Sequence, residues 1–424
     1  MRRLDVYLGE ELIGHIVENR KGGRFVYTPE ITQKLTGRPV LSLAFPAKAR
    51  PFGESKTSNW FNGLLPEGNR RDEICRSLGV SPYDWIGLLA QIGWECAGAV
   101  RVFEHGDKHA HAAEYENVAA TELAAKLSTI AERMPRPDSE LFRMSLGGFQ
   151  EKLCVAMPAL PAGVGHVNAT GILLPVGDAP STHILKPENA REYLGVAESE
   201  AWAMTAAGYA AKTSRVALLD IEDTPATLVV ERYDRIAGDS PRFAKRLHQE
   251  DACQALGLDS HDKYASTNAP RGDDPTYAGI AALLQKFAAN PANETTELLR
   301  QMTVNLALGN WDAHAKNTAL LYREPMIPAL APLYDVVPIA EVEPRTKFLS
   351  MRINGLIQPE LVGKADVAAE AANWGLDSEE AQSVVDDVLA KLEEGILAAS
   401  EMYPDAGARH EAAALNRIAQ LKNS

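Results

Sequence analysis

Asp312 and Asn317 stand with four residues between them in Asn310-Trp311-Asp312-Ala313-His314-Ala315-Lys316-Asn317. Asp335 follows eighteen positions after Asn317, in Leu333-Tyr334-Asp335-Val336. A carboxylate and an amide at this interval suit phosphoryl transfer, where the first takes or orients a hydroxyl proton and the second holds a metal ion. A second carboxylate, returned by a short hairpin, would be the other Mg²⁺ ligand. This chemistry asks little covalent work of a protein but much positioning and charge neutralisation. Taken alone, the same residues also read as a polar loop in which Asp312 and Asn317 cap nearby backbone groups, since both types are common there.

The surrounding pattern has to position these groups. Glu294-Thr295-Thr296-Glu297 opens a helical stretch with acidic residues in its first turn, where the helix dipole favours them. Leu298, Leu299, Met302, Leu306 and Leu308 follow at roughly helical spacing, and Gly309 ends the run. Thr318 to Tyr322 reads as a strand, and Pro328 and Pro332 punctuate the segment returning to Asp335. Upstream, Ser145-Leu146-Gly147-Gly148-Phe149-Gln150-Glu151-Lys152 precedes the apolar run Leu153 to Met157. Paired glycines let backbone N–H groups approach phosphate oxygens. The pattern is neither GxxxxGK[ST] nor GxGxxG, and a hairpin turn without a ligand is the competing reading. Lys186 ends the apolar strand Thr182-His183-Ile184-Leu185-Lys186, where a phosphate-binding lysine or a plain surface lysine would stand. Leu228-Val229-Val230-Glu231-Arg232-Tyr233-Asp234-Arg235 then runs from a buried-looking strand into a charged segment, where a hinge between two lobes should fall.

Glycine loop, strand lysine, acidic helix, hinge, Asp-x4-Asn and metal Asp occur in that order. In these motifs the chain resembles the HipA-like serine/threonine kinase toxins of bacterial type II toxin–antitoxin modules. The matching segments are Gly147 to Lys152, Thr182 to Lys186, Glu231-Arg232-Tyr233-Asp234-Arg235, Gln249-Glu250-Asp251 with Cys253 to Gly257, Asp312 to Asn317, and Tyr334-Asp335-Val336. Phe61-Asn62-Gly63-Leu64-Leu65-Pro66-Glu67-Gly68 also looks like the family's N-terminal signature. Phe149 departs from the small residue usual in the family's loop. The resemblance covers nearly the whole chain. It implies an α+β, two-lobed protein-kinase-like fold of the phosphatidylinositol-kinase-like variant, with ATP and Mg²⁺ bound between the lobes.

On that resemblance Asp312 is the general base or the orienter of the substrate hydroxyl, and Asn317 and Asp335 coordinate Mg²⁺. Gly147, Gly148, Phe149, Gln150, Glu151, Lys152, Lys186, Glu231, Arg232, Tyr233 and Tyr334 join them around ATP. Lys186 would hold the α/β-phosphates and pair with Glu200 or Glu198, between which spacing does not choose. Backbone groups of Glu231 and Tyr233 would meet the adenine. His314 and Lys316 lie close enough in sequence to reach phosphate or substrate, although His314 could equally be a hydrogen-bonded structural imidazole. Ser145 matches a family serine that is autophosphorylated, and phosphate there would repel ATP's own phosphates.

Composition fits a cytoplasmic enzyme. With 424 residues and 46% hydrophobic content the chain can bury a substantial core. No apolar run approaches the roughly 20 residues of a membrane helix, and the start, Met1-Arg2-Arg3-Leu4-Asp5-Val6, lacks a signal peptide's apolar region. Cys75, Cys96, Cys154 and Cys253 are scattered and read as buried free thiols. His105, His109 and His111 cluster, but Gly106, Asp107 and Lys108 make this a solvated loop before a metal site. A net charge of −14 without a long basic run makes a poor autonomous DNA binder. The resemblance therefore implies operator DNA contact through a small helix-turn-helix, HipB-like antitoxin.

Residues near 1–50 alternate apolar and polar positions and read as β-hairpins, and 80–93 look helical. Residues 105–117 read as a connection, with a short amphipathic helix from Thr121. Strands dominate 150–235, with one helix near 198–212, and helices dominate from 249, ending in a long segment after Ser378. The division expected is a HipA-type N-terminal subdomain (1–110), a kinase N-lobe (111–235) and a helical C-lobe (236–424). Three functions fit. The first is a protein serine/threonine kinase toxin, with an aminoacyl-tRNA synthetase as a substrate the family precedent makes plausible. The others are a small-molecule kinase and an inactive, antitoxin-binding corepressor. Retention of Asp312, Asn317 and Asp335 speaks against the last.

Overall fold

The computed structural model describes residues 1–107, 113–132, 152–189, 194–236, 240, 242, 244–343 and 346–424. The chain opens with three antiparallel strands, β1 (Arg3–Leu8), β2 (Glu11–Asn19) and β3 (Gly22–Tyr27). The alternation predicted from sequence buries Leu4, Val6, Ile16 and Phe25 on one face. The hairpin pattern stops at Tyr27, short of residue 50. Pro29 at the first helical position and the Thr28 side chain, which accepts from the Ile31 N–H, start α1 (Pro29–Leu35) instead. Three helices cover the sheet, α2 (Glu54–Asn62), α3 (Gly68–Leu78) and α4 (Trp85–Ile92). Helix α4 begins at Trp85 and not near 80, because Asp84 caps it by accepting from the Gly87 N–H at 2.9 Å. Strand β4 (Val100–Glu104) closes the sheet beside β1, in the order β3-β2-β1-β4.

The next layer comprises β5 (Glu114–Asn117), α5 (Ala120–Ala131), β6 (Leu153–Val155), β7 (His166–Asn168), β8 (Leu173–Val176), β9 (His183–Pro187), α6 (Val196–Ala207), β10 (Val216–Asp220) and β11 (Thr227–Glu231). Residues 114–117, expected in a connection, pair with β8 as a strand. Five strands form one sheet in the order β6-β9-β11-β10-β7. Successive β11 side chains face opposite ways, so Val229 packs with Leu123 and Leu127 of α5 while Leu228 and Val230 join the core containing α6. Helix α6 runs from 196 to 207, a few residues earlier than the apolar pattern predicts, with Gly208 at its C-terminal cap.

Two short strands, β12 (Arg235–Ile236) and β13 (Lys245–Arg246), lead to β14 (His248–Asp251) and α7 (Ala252–Leu256). The helical lobe follows with α8 (Tyr277–Phe287) and α9 (Pro291–Ala307), then the hairpin β15 (Ala319–Glu324) and β16 (Ile327–Leu330). It finishes with α10 (Ile339–Val342), α11 (Lys364–Asn373), α12 (Ser378–Met402) and α13 (Pro404–Lys422). The C-terminal segment after Ser378 is thus two helices, since Pro404 starts a second one against the first. A β-rich half and a helical half give the α+β, kinase-like arrangement. All four cysteines are buried free thiols. Among the described residues no helix is long and apolar enough to cross a membrane.

Candidate phosphoryl-transfer site

Helix α9 aims the loop that carries Asp312. Its start lies at Pro291, ahead of Glu294, with Asn290 accepting from the Asn293 N–H as the cap. Leu298, Leu299, Met302 and Leu306 are buried, and each contributes roughly 1.5–3 kcal/mol to seating the helix. Gly309, at φ +73°, then turns the chain out of the helix. The Asp312 carbonyl accepts from the His314 N–H at 2.7 Å and from Asn317 Nδ2 at 3.4 Å. Anchoring its nitrogen leaves the Asn317 amide oxygen as the end open to a ligand.

The β15–β16 hairpin brings Asp335 back to this loop. Asp335 adopts φ +60°, a left-handed conformation that a residue other than glycine rarely takes. Asn310 Nδ2 donates to Asn305 Oδ1 at 2.8 Å and to the Asp335 carbonyl at 3.4 Å, joining loop and hairpin. The Tyr334 hydroxyl donates to the Lys316 carbonyl at 2.6 Å and adds a second tie.

Lys186, near the end of β9, donates to Glu200 Oε1 at 2.7 Å and to Asp335 Oδ1 at 2.6 Å. The partner left open by sequence spacing is therefore Glu200; Glu198 pairs with Arg409 at 3.1 Å. Burial disfavours the Lys186 charge, but Asp335 and Glu200 hold its ammonium above the usual lysine range. Burial likewise works against the Asp335 carboxylate, which Lys186 holds down at about 2. Lys152 stands nearby: burial, with Arg70 and Lys186, pushes its ammonium down to about 7. Burial and the Asp335 charge push the Asp312 carboxyl up to about 6, against the nearby Tyr264 hydroxyl, which favours the charged form. His314 is neutral, its ring packed edge-on against Tyr264 at 5.1 Å, and burial pushes it down to about 3.

The structure thus brings Lys152, Lys186, Asp312, His314, Lys316, Asn317, Tyr334 and Asp335 together. Ser145, Gly147, Gly148, Phe149, Gln150 and Glu151 lie outside the described residues. At the end of β11 the Glu231 N–H donates to the Arg215 carbonyl at 2.9 Å and the Arg232 N–H to the Thr182 carbonyl at 3.0 Å, and neither bond involves the Tyr233 N–H. The Arg232 guanidinium is buried against Asp234 (2.7 Å) and Glu95 (3.2 Å). Tyr233 donates to Gln249 Oε1 at 2.7 Å and lies 5.3 Å from the Tyr334 ring.

Sequence reasoning missed Tyr264, for which no local signal exists, and left Asn310 and Glu67 without roles although both stand in quoted segments. For Mg²⁺ the donor set is suitable, an Asp335 carboxylate and the Asn317 amide oxygen, both hard ligands. On the N-terminal sheet, His15 Nδ1 and His105 Nδ1 lie 2.7 and 2.8 Å from Asp5 Oδ1. These are hydrogen-bond spacings, and His109 and His111 lie outside the described residues.

Residues 144–396 match the HipA-like C-terminal domain and residues 4–103 the HipA N-terminal domain. The chain belongs to the HipA-like kinase family. A Sinorhizobium fredii protein that bears the name kinase Y4mE is 33% identical over 83% of this chain and 81% of its own. The serine/threonine-protein kinase toxin HipA of Shewanella oneidensis is 27% identical over 88% of this chain and 83% of its own. A solved Shewanella oneidensis HipA, in complex with HipB and operator DNA, superposes with a TM-score of 0.80 over 99% of both chains at 24% identity.

Proposed function

We propose that this protein is an ATP-dependent serine/threonine protein kinase, the toxin of a toxin–antitoxin pair. The observation that carries the reading is the convergence of Asp312, Asn317, Asp335 and the Lys186–Glu200 pair from four separate chain segments. Lys186 would bind the nucleotide's phosphates, with Glu200 orienting the ammonium. Asn317 and Asp335 would hold Mg²⁺, which neutralises charge on the transferring phosphoryl group when bound. Asp312 would orient the acceptor hydroxyl and take its proton, a role suited by a carboxyl near 6 that is mostly ionised at neutral pH. Ser145 would be a self-phosphorylation site. A HipB-like helix-turn-helix antitoxin, with operator DNA bound chiefly through it, agrees with the chain's net charge of −14. The partners of the Shewanella relative support the same reading.

Transfer of labelled γ-phosphate from ATP–Mg²⁺ by the purified chain tests the chemistry. Phosphoproteomics after controlled expression identifies the acceptor, for which a translation component such as an aminoacyl-tRNA synthetase is expected, together with growth arrest. Labelled metabolites with no labelled protein would make the chain a small-molecule kinase. Antitoxin binding without any transfer would leave a corepressor.

A further inference from the structure

Glu67 stands at the N-terminal cap of α3, where a carboxylate ordinarily accepts from the helix's own first amides. It makes no such bond. Its two oxygens turn instead into the helical half of the molecule. Oε1 accepts from the Lys316 ammonium and Oε2 from that of Lys263 at 3.1 Å. All three side chains are largely buried, at 13%, 9% and 6% exposure. Burial alone would raise the Glu67 carboxyl, but the two ammoniums hold it down at about 2. The Gly63 carbonyl, from the same N-terminal loop, accepts from Lys316 at 3.2 Å.

Both lysines belong to the catalytic neighbourhood. Lys316 sits between Ala315 and Asn317, and its carbonyl takes the Tyr334 hydroxyl beside Asp335. The Lys263 carbonyl accepts from the Ala315 N–H at 3.2 Å. Its neighbour Tyr264 lies beside Asp312, where its hydroxyl favours the charged carboxylate. One carboxylate from the N-terminal region therefore pins two points of the Asp312–Asn317 loop. We propose that Glu67 is a positioning residue for phosphoryl transfer, holding Lys316 and Lys263 so that Asp312 and Asn317 keep their working geometry. The claim rests on the kinase reading and assigns the N-terminal region a part in the active site.

The test compares wild type, Glu67→Gln, Glu67→Asp, Lys316→Met and the Glu67→Gln/Lys316→Met pair, each checked by thermal unfolding. ATP affinity is measured by calorimetry, and kcat from γ-phosphate transfer to the same acceptor. Glu67→Gln should lower kcat by about 10- to 100-fold, the cost of a small displacement of reacting groups, with ATP affinity nearly unchanged. Glu67→Asp, which keeps the charge, should recover part of the loss, and the double variant should lose no more than the worse single one. Should Glu67→Gln not fold, Glu67→Asp carries the comparison through an intermediate kcat. Wild-type kcat in folded Glu67 variants, or strictly additive losses, overturns the positioning role alone. A wild-type chain that transfers no phosphate sinks the kinase reading and this role with it.

Discussion

Asp312 carries a carboxyl whose ionisation is costly. Burial and the neighbouring Asp335 charge push it up to about 6, so the folded chain binds this proton more tightly than the unfolded one. The carboxyl then costs stability as pH rises from about 4 through about 6, and in full above that. Asp312→Asn should nearly abolish transfer while raising the unfolding midpoint at pH 8, with a gain on the order of 2–3 kcal/mol at most that closes below about pH 4. Chemical unfolding at both pH values checks the sign. Wild-type transfer should fall as pH drops through about 6, because protonated Asp312 cannot take the acceptor's proton. Asp335→Ala removes a hard oxygen ligand but leaves Lys186 its Glu200 partner. The Mg²⁺ needed for half-maximal transfer should rise by about 10-fold or more, read from a metal titration at saturating ATP.

At the scale of elements, the joint between α9 and the Asp312–Asn317 loop rests on one backbone conformation. Gly309 holds φ +73°, and a Cβ there would meet Arg417 Nη2 at 2.8 Å and the Ala340 Cβ at 3.1 Å. Gly309→Ala should cost about 1–2 kcal/mol from the left-handed backbone alone. Because the strain falls three residues before Asp312, kcat should drop in the folded fraction while ATP affinity changes little. Urea unfolding together with calorimetry separates the two effects. This joint is legible in the sequence. Leu298, Met302 and Leu306 recur at helical intervals, and the run ends at Gly309, the one residue type that leaves a helix this way at no steric cost. The start of α9 is less legible, since Asn290 and Pro291 cap it ahead of the acidic run at Glu294.

Across the whole molecule, the N-terminal region and the hinge share a buried charge. Glu95, fully buried, accepts from Arg232 at 3.2 Å, Arg235 at 2.9 Å and Arg246 at 2.6 Å, as well as from the Ser181 N–H and hydroxyl. Asp234 balances part of this charge and accepts from the Gly98 N–H at 2.6 Å. Glu95→Ala would leave three guanidiniums without a common partner, which costs about 3–5 kcal/mol. Equilibrium unfolding should show that loss, and wild-type stability in the variant would mean that water or Asp178 takes over the cations. Glu250 of β14 makes a second bridge, accepting from Trp60 Nε1 at 3.1 Å and from the Leu43 N–H at 3.0 Å.

The sequence by itself determined the order of the candidate site: an Asp-x4-Asn loop after a glycine-ended helix, a hairpin returning Asp335, and a lysine near the end of an apolar strand. These are local, because periodicity, caps and turns act over a few residues. Only the tertiary structure decided that Lys186 meets Glu200 and not Glu198, for both lie in the first turns of α6 and sheet packing alone turns one inward. It also paired the Arg232 guanidinium with Glu95, 137 positions away, where no spacing rule reaches. Glu67 and Tyr264 gained their places in the same way. Their partners are distant in sequence, and a carboxylate or phenol takes its role from the groups that burial brings against it.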